Sequence, residues 1–88
     1  MCVTMDVDDV MERAAHMYVA GNAKAALVEV RKAMVCRQNV LMDRYAATYA
    51  CAARDLPAAK QHFVKVPVQF QSGIRQRCQQ EGLELDAN

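Results

Sequence analysis

The apolar residues of this 88-residue chain recur at steps of three and four, which is the spacing of one face of an α-helix. Five such sets follow one another along the chain, and they begin at Val7, Ala26, Leu41, Leu56 and Phe70. No stretch shows the alternation of β-branched and polar residues that is typical of β-strands. The pattern therefore predicts an all-α protein of five helices.

Residues that start or stop helices stand between these sets. A side chain of Asp or Asn before a helix accepts hydrogen bonds from first-turn amides, and Gly or Pro ends a helix. The starting residues are Asp6, Asn22 and Asp55, and the stopping residues are Gly21, Pro67 and Gly82. We therefore predict one domain over residues 1–88, with helix pairs over 7–36 and 40–66 and a last helix over 68–81.

The second helix of each pair belongs to an internal repeat. Residues 21–34 and 54–67 align without a gap at an offset of 33 residues. In both segments a loop residue is followed by alanine, then by a larger apolar residue, then by a small or branched one. The positions are Gly21, Ala26, Val30 and Ala33 in the first segment, and Arg54, Ala59, Phe63 and Val66 in the second.

These positions resemble the tetratricopeptide repeat (TPR) family, and the resemblance spans residues 7–66. The small contact residue of that family's first helix falls on Ala14 and Ala47. The chain departs from the family at Asp43, where a tryptophan is expected, and at Arg54, where a glycine is expected. The resemblance implies two TPR-like units of antiparallel helices, with the helix over 68–81 as a C-terminal cap. A plain bundle of helical hairpins is the alternative fold.

The resemblance also implies a function, because TPR proteins bind partners in a concave groove lined by the first helix of each unit. The corresponding residues are Asp8, Met11, Ala15, Tyr18, Leu41, Arg44, Thr48 and Cys51. It therefore implies a non-catalytic adaptor or scaffold that binds a peptide, a helix or a partner domain. The apolar members would form an adaptable strip, and Arg44 would hold a carboxylate. A homodimer through the repeat edge is a further expectation if the last helix leaves Phe63 uncovered.

The amino-acid composition suits thin layers of side chains between closely packed helices. The chain has 15 alanines and no tryptophan, and its Leu, Ile, Val and Phe residues together number only 19. Such a chain cannot enclose the large cavity of most enzymes. The alanines that the resemblance places at helix contacts are Ala14, Ala26, Ala33, Ala47 and Ala59.

The distribution of charge along the chain leaves nucleic-acid binding open as a second function. The net charge is +1, but residues 13–77 hold all eleven Lys and Arg residues and only three acids, so acidic ends flank a basic middle. This basic middle either attracts an acidic partner or consists of solvated helix faces. A small nucleic-acid-binding protein would use Arg31, Lys32, Arg37, Arg75 and Arg77. The near-neutral total argues against nucleic acid as the partner.

The sequence shows no signature of catalysis, of a cofactor or of a metal site. It lacks a glycine-rich phosphate loop, an H-E-x-x-H motif and a C-x-x-C pair. His16 and His62 are predicted to be exposed or half-buried, and the four cysteines to be reduced thiols of a cytoplasmic protein. Neither a secretory signal nor a membrane span is expected.

Overall fold

A computed structural model describes residues 2–85 and contains five α-helices and one short 3₁₀ helix. The 3₁₀ helix spans Cys2–Thr4; the α-helices are α1 (Val7–Val19), α2 (Ala23–Cys36), α3 (Val40–Ala52), α4 (Leu56–Phe63) and α5 (Val68–Gln80). This described part of the chain contains no β-strand, so the all-α prediction is confirmed. The predicted domain also includes residues 1 and 86–88, which lie outside the described residues.

The predicted helix starts and the two glycine stops are found in the structure. Asp6, Asn22 and Asp55 each accept a hydrogen bond from the amide three residues further on. Gly21 and Gly82 follow helix ends with φ angles of 88° and 77°. This left-handed conformation has little steric cost for glycine, because glycine has no Cβ.

The fourth helix is shorter than predicted. The sequence suggests that it continues to Val66, but α4 ends at Phe63. In a continued helix the carbonyl of Phe63 would accept from the amide of residue 67, which is Pro67 and has no amide hydrogen. The carbonyl of Phe63 accepts instead from the amide of Val66, at 3.0 Å. The proline therefore tightens the turn before it.

The helices form two layers. One layer contains α1, α3 and α5; the other contains α2, which packs on α1 and α3, and α4, which packs on α3. Helices α3 and α5 run parallel, because Arg44 lies over the ring of Phe70 near their starts and Cys51 is bonded to Cys78 near their ends. Helices α1, α3 and α5 form one side of the molecule.

Alanine fills the contacts between the layers. The five alanines predicted to lie at helix contacts are fully buried, with exposed fractions of 0%: Ala14, Ala26, Ala33, Ala47 and Ala59. A methyl group at a contact lets two helix axes approach to the lower end of the usual 8–10 Å range. The prediction that these residues lie at helix contacts is confirmed.

The prediction of reduced thiols is wrong. Cys2 is bonded to Cys36, and Cys51 is bonded to Cys78. Their Cα atoms are 5.3 and 4.7 Å apart, within the range that disulfides require. The pairing was not predicted from the sequence, because the cysteines of each pair are 34 and 27 residues apart along the chain. The α1–α2 hairpin brings the first pair together, and the parallel packing of α3 and α5 brings the second pair together.

Helix α5 closes the end of the molecule. Ile74 and Cys78 are buried, and Leu85 folds back into the core with an exposed fraction of 8%. Phe63 is also 8% exposed, and the guanidinium of Arg75 lies 4.9 Å from the centroid of its ring. The repeat edge is therefore covered, which removes the condition on which the homodimer was expected. None of the helices within residues 2–85 combines the length and the apolar character needed to cross a membrane.

Candidate functional site

A small cavity lies between α1 and α3. Met11, Glu12 and Ala15 line it from α1, and Tyr45 and Tyr49 line it from α3. Residues four apart lie on one face of a helix, so Met11 with Ala15 and Tyr45 with Tyr49 form two facing walls. The cavity has a volume of about 200 Å³.

Aromatic rings give this cavity its floor and one wall. The ring of Tyr49 stacks on that of Tyr18, with 4.7 Å between centroids, and it lies 6.3 Å from that of Tyr45. Burial of Tyr49 raises the pKa of its hydroxyl, and the neighbouring Tyr45 and Tyr18 raise this pKa further. Tyr45 itself is 42% exposed. Tyr49 thus forms a fixed floor, and Tyr45 is the wall that a ligand can reach.

The groove residues predicted on α1 fall into two groups. Met11 and Ala15 line the cavity. Tyr18 supports the cavity from behind, through its stacking on Tyr49. Asp8 lies near the start of the helix and binds the guanidinium of Arg37 at 2.7 Å. Three of the four predicted residues therefore belong to the cavity or its support.

The groove residues predicted on α3 are less available. Leu41 is 44% exposed, but the guanidinium of Arg44 stacks on the ring of Phe70 at 4.2 Å. The Oγ1 of Thr48 donates to the carbonyl of Arg44 at 2.9 Å. Cys51 is fully buried in its disulfide, so it offers no atom to a ligand. The structure does not bring these four residues together with Met11 and Ala15.

The sequence reasoning missed three residues of the cavity: Glu12, Tyr45 and Tyr49. The two tyrosines belong to the apolar set of the third helix, and such a set predicts core positions. Their i, i+4 spacing in the sequence places both rings on one helix face, but it does not show that Tyr45 is exposed at the edge of this face. No sequence signal marked Glu12, because its position depends on how α1 rotates against α3.

A buried polar cluster joins α2, α3 and α4. Asp43 is 2% exposed, and its Oδ1 lies 3.1 Å from Nδ1 of His62, which is 7% exposed. The Nε–H of Arg31 donates to Nε2 of His62 at 3.2 Å. Because this Nε2 accepts, the proton of the neutral ring lies on Nδ1 and is donated to Asp43. The prediction that His62 is exposed or half-buried is wrong, because the carboxylate of Asp43 gives the buried ring a partner.

This cluster serves the fold. Both ring nitrogens of His62 are occupied, and within residues 2–85 all cysteines are in disulfides, so no thiol is available to the ring. Gln38 adds a hydrogen bond to the carboxylate of Asp43 at 3.4 Å. The same part of the chain contains no group of three His, Cys, Asp or Glu side chains that could hold a metal ion. His16, the second histidine, is exposed on α1.

The basic residues that nucleic-acid binding would use have partners within the chain. Arg37 binds Asp8, Arg31 donates to His62, and Arg75 lies over Phe63. Salt bridges of 3.8 and 3.5 Å join Lys32 to Glu29 and Arg77 to Glu81. Each of these five basic side chains thus has a partner within the chain. They do not form the stripe of unpaired cations that binds a phosphate backbone.

Comparison of the chain with models of protein families, with curated proteins and with solved structures finds no match in any of the three.

Proposed function

We propose that this protein is a non-catalytic, TPR-like interaction module that binds a peptide or helix of a partner protein through the cavity between α1 and α3. The observation that carries the proposal is the partly exposed aromatic wall of this cavity. Its volume of about 200 Å³ is below the about 300–1,000 Å³ of small-molecule sites. A cavity of this size fits one anchoring side chain of a peptide.

The charge at the cavity rim specifies the peptide further. Glu12 lines the cavity and is exposed, and no cation among residues 2–85 forms a salt bridge with it. Asp8 and Asp9, in the first turn of the same helix, are paired with Arg37 and Arg13, so the unpaired charge at the rim is that of Glu12. Charge complementarity favours a partner of opposite sign at such a rim. The expected ligand therefore has a large apolar residue with Lys or Arg one helical turn away.

The arrangement of the helices supports the TPR-like part of the proposal. In that family the first helices of successive units line one surface, and here α1, α3 and α5 lie in one layer. Alanine at the inter-helix contacts is also what the family's pattern requires. The departures at Asp43 and Arg54 are accommodated by the partner His62 and by a left-handed backbone at residue 54.

Selection from a displayed library of random peptides tests the proposal. We expect enriched peptides that carry an apolar anchor and a basic residue. Their affinity should fall by at least about tenfold for Ala15→Leu, which fills the cavity. Truncation of the wall by Tyr45→Ala should cost about 2 kcal/mol, or about 30-fold in Kd. Ala20→Leu is the matched control, because it adds the same side chain at the exposed end of α1.

A charge reversal separates the rim from the cavity. Glu12→Lys should reduce the affinity of peptides with a basic residue and leave the helical content unchanged. Peptides that bind equally to the wild type, Ala15→Leu and Tyr45→Ala would show that another surface is used. Binding of mixed-sequence DNA that decreases steeply with salt would support the nucleic-acid alternative instead.

The predicted cytoplasmic location stays a prediction, and the disulfides argue against it. Disulfides persist in oxidising compartments and are rare in the cytosol. The prediction rested in part on reduced thiols, which the structure does not contain. Mass spectrometry of the protein from its native source, with free thiols blocked at lysis, would decide between the two environments.

A further inference from the structure

We propose that the Cys2–Cys36 disulfide is a site of thiol–disulfide exchange with an external thiol, whereas Cys51–Cys78 is a permanent structural bond. This inference is independent of the peptide-binding cavity. It concerns the region before the start of α1, where the 3₁₀ helix Cys2–Thr4 meets the end of α2.

The two disulfides differ in accessibility. Cys51 and Cys78 are both 0% exposed, between α3 and α5. Cys2 is exposed and Cys36 is half-buried. Exchange requires a thiolate to attack a sulfur atom in line with the bond that breaks, so access to the sulfur controls the rate. An external thiol can reach the first disulfide in the folded protein, and it reaches the second only after α5 separates from α3.

The surroundings of the first disulfide suit an incoming thiol. A shallow cavity of about 410 Å³ is lined by Cys2, Met5, Lys32, Val35 and Cys36. Val35 is 85% exposed and gives the cavity an apolar rim. Lys32 lines the same cavity, and its ammonium also pairs with Glu29 at 3.8 Å. A cation near the sulfur that leaves favours the thiolate. An apolar contact surface and a cation thus flank an accessible disulfide.

The exchange proceeds in two steps. The thiolate of the external thiol attacks Sγ of Cys2; a mixed disulfide forms at Cys2, the Cys2–Cys36 bond breaks, and Cys36 leaves as a thiolate. A second external thiol, or the second thiol of a dithiol protein, then attacks the mixed disulfide. Cys2 and Cys36 are reduced by two electrons, and two external thiols are oxidised to one disulfide.

Exchange at this site would release a short strap. Residues 2–5 cross the open end of the α1–α2 hairpin, and Met5 packs against a small apolar cluster of Val7, Val10, Ala33 and Met42. Within the strap, the amide of Met5 donates to the carbonyl of Cys2 at 3.1 Å. The Cys2–Cys36 bond is the covalent link between the strap and the end of α2. Its opening therefore releases the strap from this link, and noncovalent contacts such as that of Met5 remain.

Graded reduction of the full chain tests the proposal. The native protein is incubated with glutathione, or with a reduced C-x-x-C dithiol protein, and alkylated; peptide mass spectrometry then locates the label. Cys2 and Cys36 should be labelled at least about 100-fold faster than Cys51 and Cys78, because an external thiol reaches a buried disulfide only when the fold opens locally. Labelling of both pairs at one rate, or of neither pair by either thiol, would overturn the proposal.

Two single variants identify the attacked sulfur. Cys36→Ser leaves a free thiol at the exposed Cys2, and Cys2→Ser leaves one at the half-buried Cys36. With oxidised glutathione, Cys36→Ser should acquire the mixed disulfide at least about tenfold faster, because exchange follows access to the thiol. Equal rates, or a faster reaction at Cys36, would place the attack on Cys36 and contradict the step proposed above. Circular dichroism of both variants shows whether the helices are retained.

Discussion

Asp43 shows how a single residue sets local structure in this protein. Its carboxylate is buried beside the ring of His62 and accepts a further hydrogen bond from Gln38. Burial of an unpaired carboxylate costs several kcal/mol, whereas a hydrogen-bonded one is tolerated. The Asp43–His62 pair therefore fixes the register of α3 against α4, and Arg31 extends this constraint to α2.

Removal of one member of this pair should cost more than removal of both. His62→Leu should lower the free energy of unfolding by about 3 kcal/mol, because Asp43 stays buried without its main partner. Asp43→Val combined with His62→Leu should recover at least half of that loss, since apolar residues of similar volume replace a buried polar pair at little cost. Urea unfolding of the three proteins measures this. A double variant as unstable as His62→Leu would show that shape, not charge, dominates at this site.

The raised pKa of Tyr49 predicts that the protein loses stability in alkali. Burial, with Tyr45 and Tyr18 nearby, raises its pKa above the ordinary value of about 10. When the pKa of a group is higher in the folded than in the unfolded protein, the stabilisation that the group contributes is fully present below the unfolded-state pKa. This stabilisation is lost as the pH rises through the folded-state pKa. The free energy of unfolding should therefore fall above pH about 10. Tyr49→Phe should flatten this fall and remove one tyrosinate from the alkaline absorbance titration; an unchanged pH profile would contradict the assignment.

At the scale of the helices, the local capping interactions could be predicted from the sequence, and the packing between helices only in part. Asp6, Asn22 and Asp55 act on amides three residues away, so their roles depend on sequence neighbours alone. The burial of Ala14 and Ala47 was expected from the resemblance to the TPR family. The positions of Glu12, Tyr45 and His62 depend on how one helix rotates against another. The sequence does not encode that rotation locally, so the cavity and the buried cluster could not be predicted.

The loop between α3 and α4 contains a strained residue. Arg54 has a φ angle of 60°, a conformation that costs a non-glycine residue about 1–2 kcal/mol. Its guanidinium binds Glu81 at 3.2 Å, but the side chain is 71% exposed, so this ion pair adds little. Arg54→Gly should therefore be about 1 kcal/mol more stable than Arg54→Ala, which also lacks the ion pair but keeps the Cβ. Thermal unfolding compares the two, and equal stabilities would show that the strain is relieved elsewhere.

At the scale of the whole molecule, covalent bonds supplement a core that is rich in alanine. Alanine buries little apolar area, so each helix contact contributes less than a contact of Leu or Phe would. The two disulfides close the α1–α2 hairpin and join α3 to α5, and the ends of both bonds lie at helix termini. Small domains with thin cores commonly use such links. The disulfides therefore supplement the small apolar area that the alanines bury.

Loss of the buried disulfide should destabilise the whole fold. Cys51 and Cys78 are separated by 27 residues, and a loop of this length restricts the unfolded chain by about 3–4 kcal/mol. Cys51→Ala with Cys78→Ala should therefore lower the free energy of unfolding by about that amount, and α5 should lose amide protection first, because it packs mainly on α3. Urea unfolding and hydrogen exchange measure the two effects. In the matched variant, Cys2→Ala with Cys36→Ala, the amides of α5 should keep their protection; if α5 opens equally in both, the bond at Cys51 does not hold that helix in place.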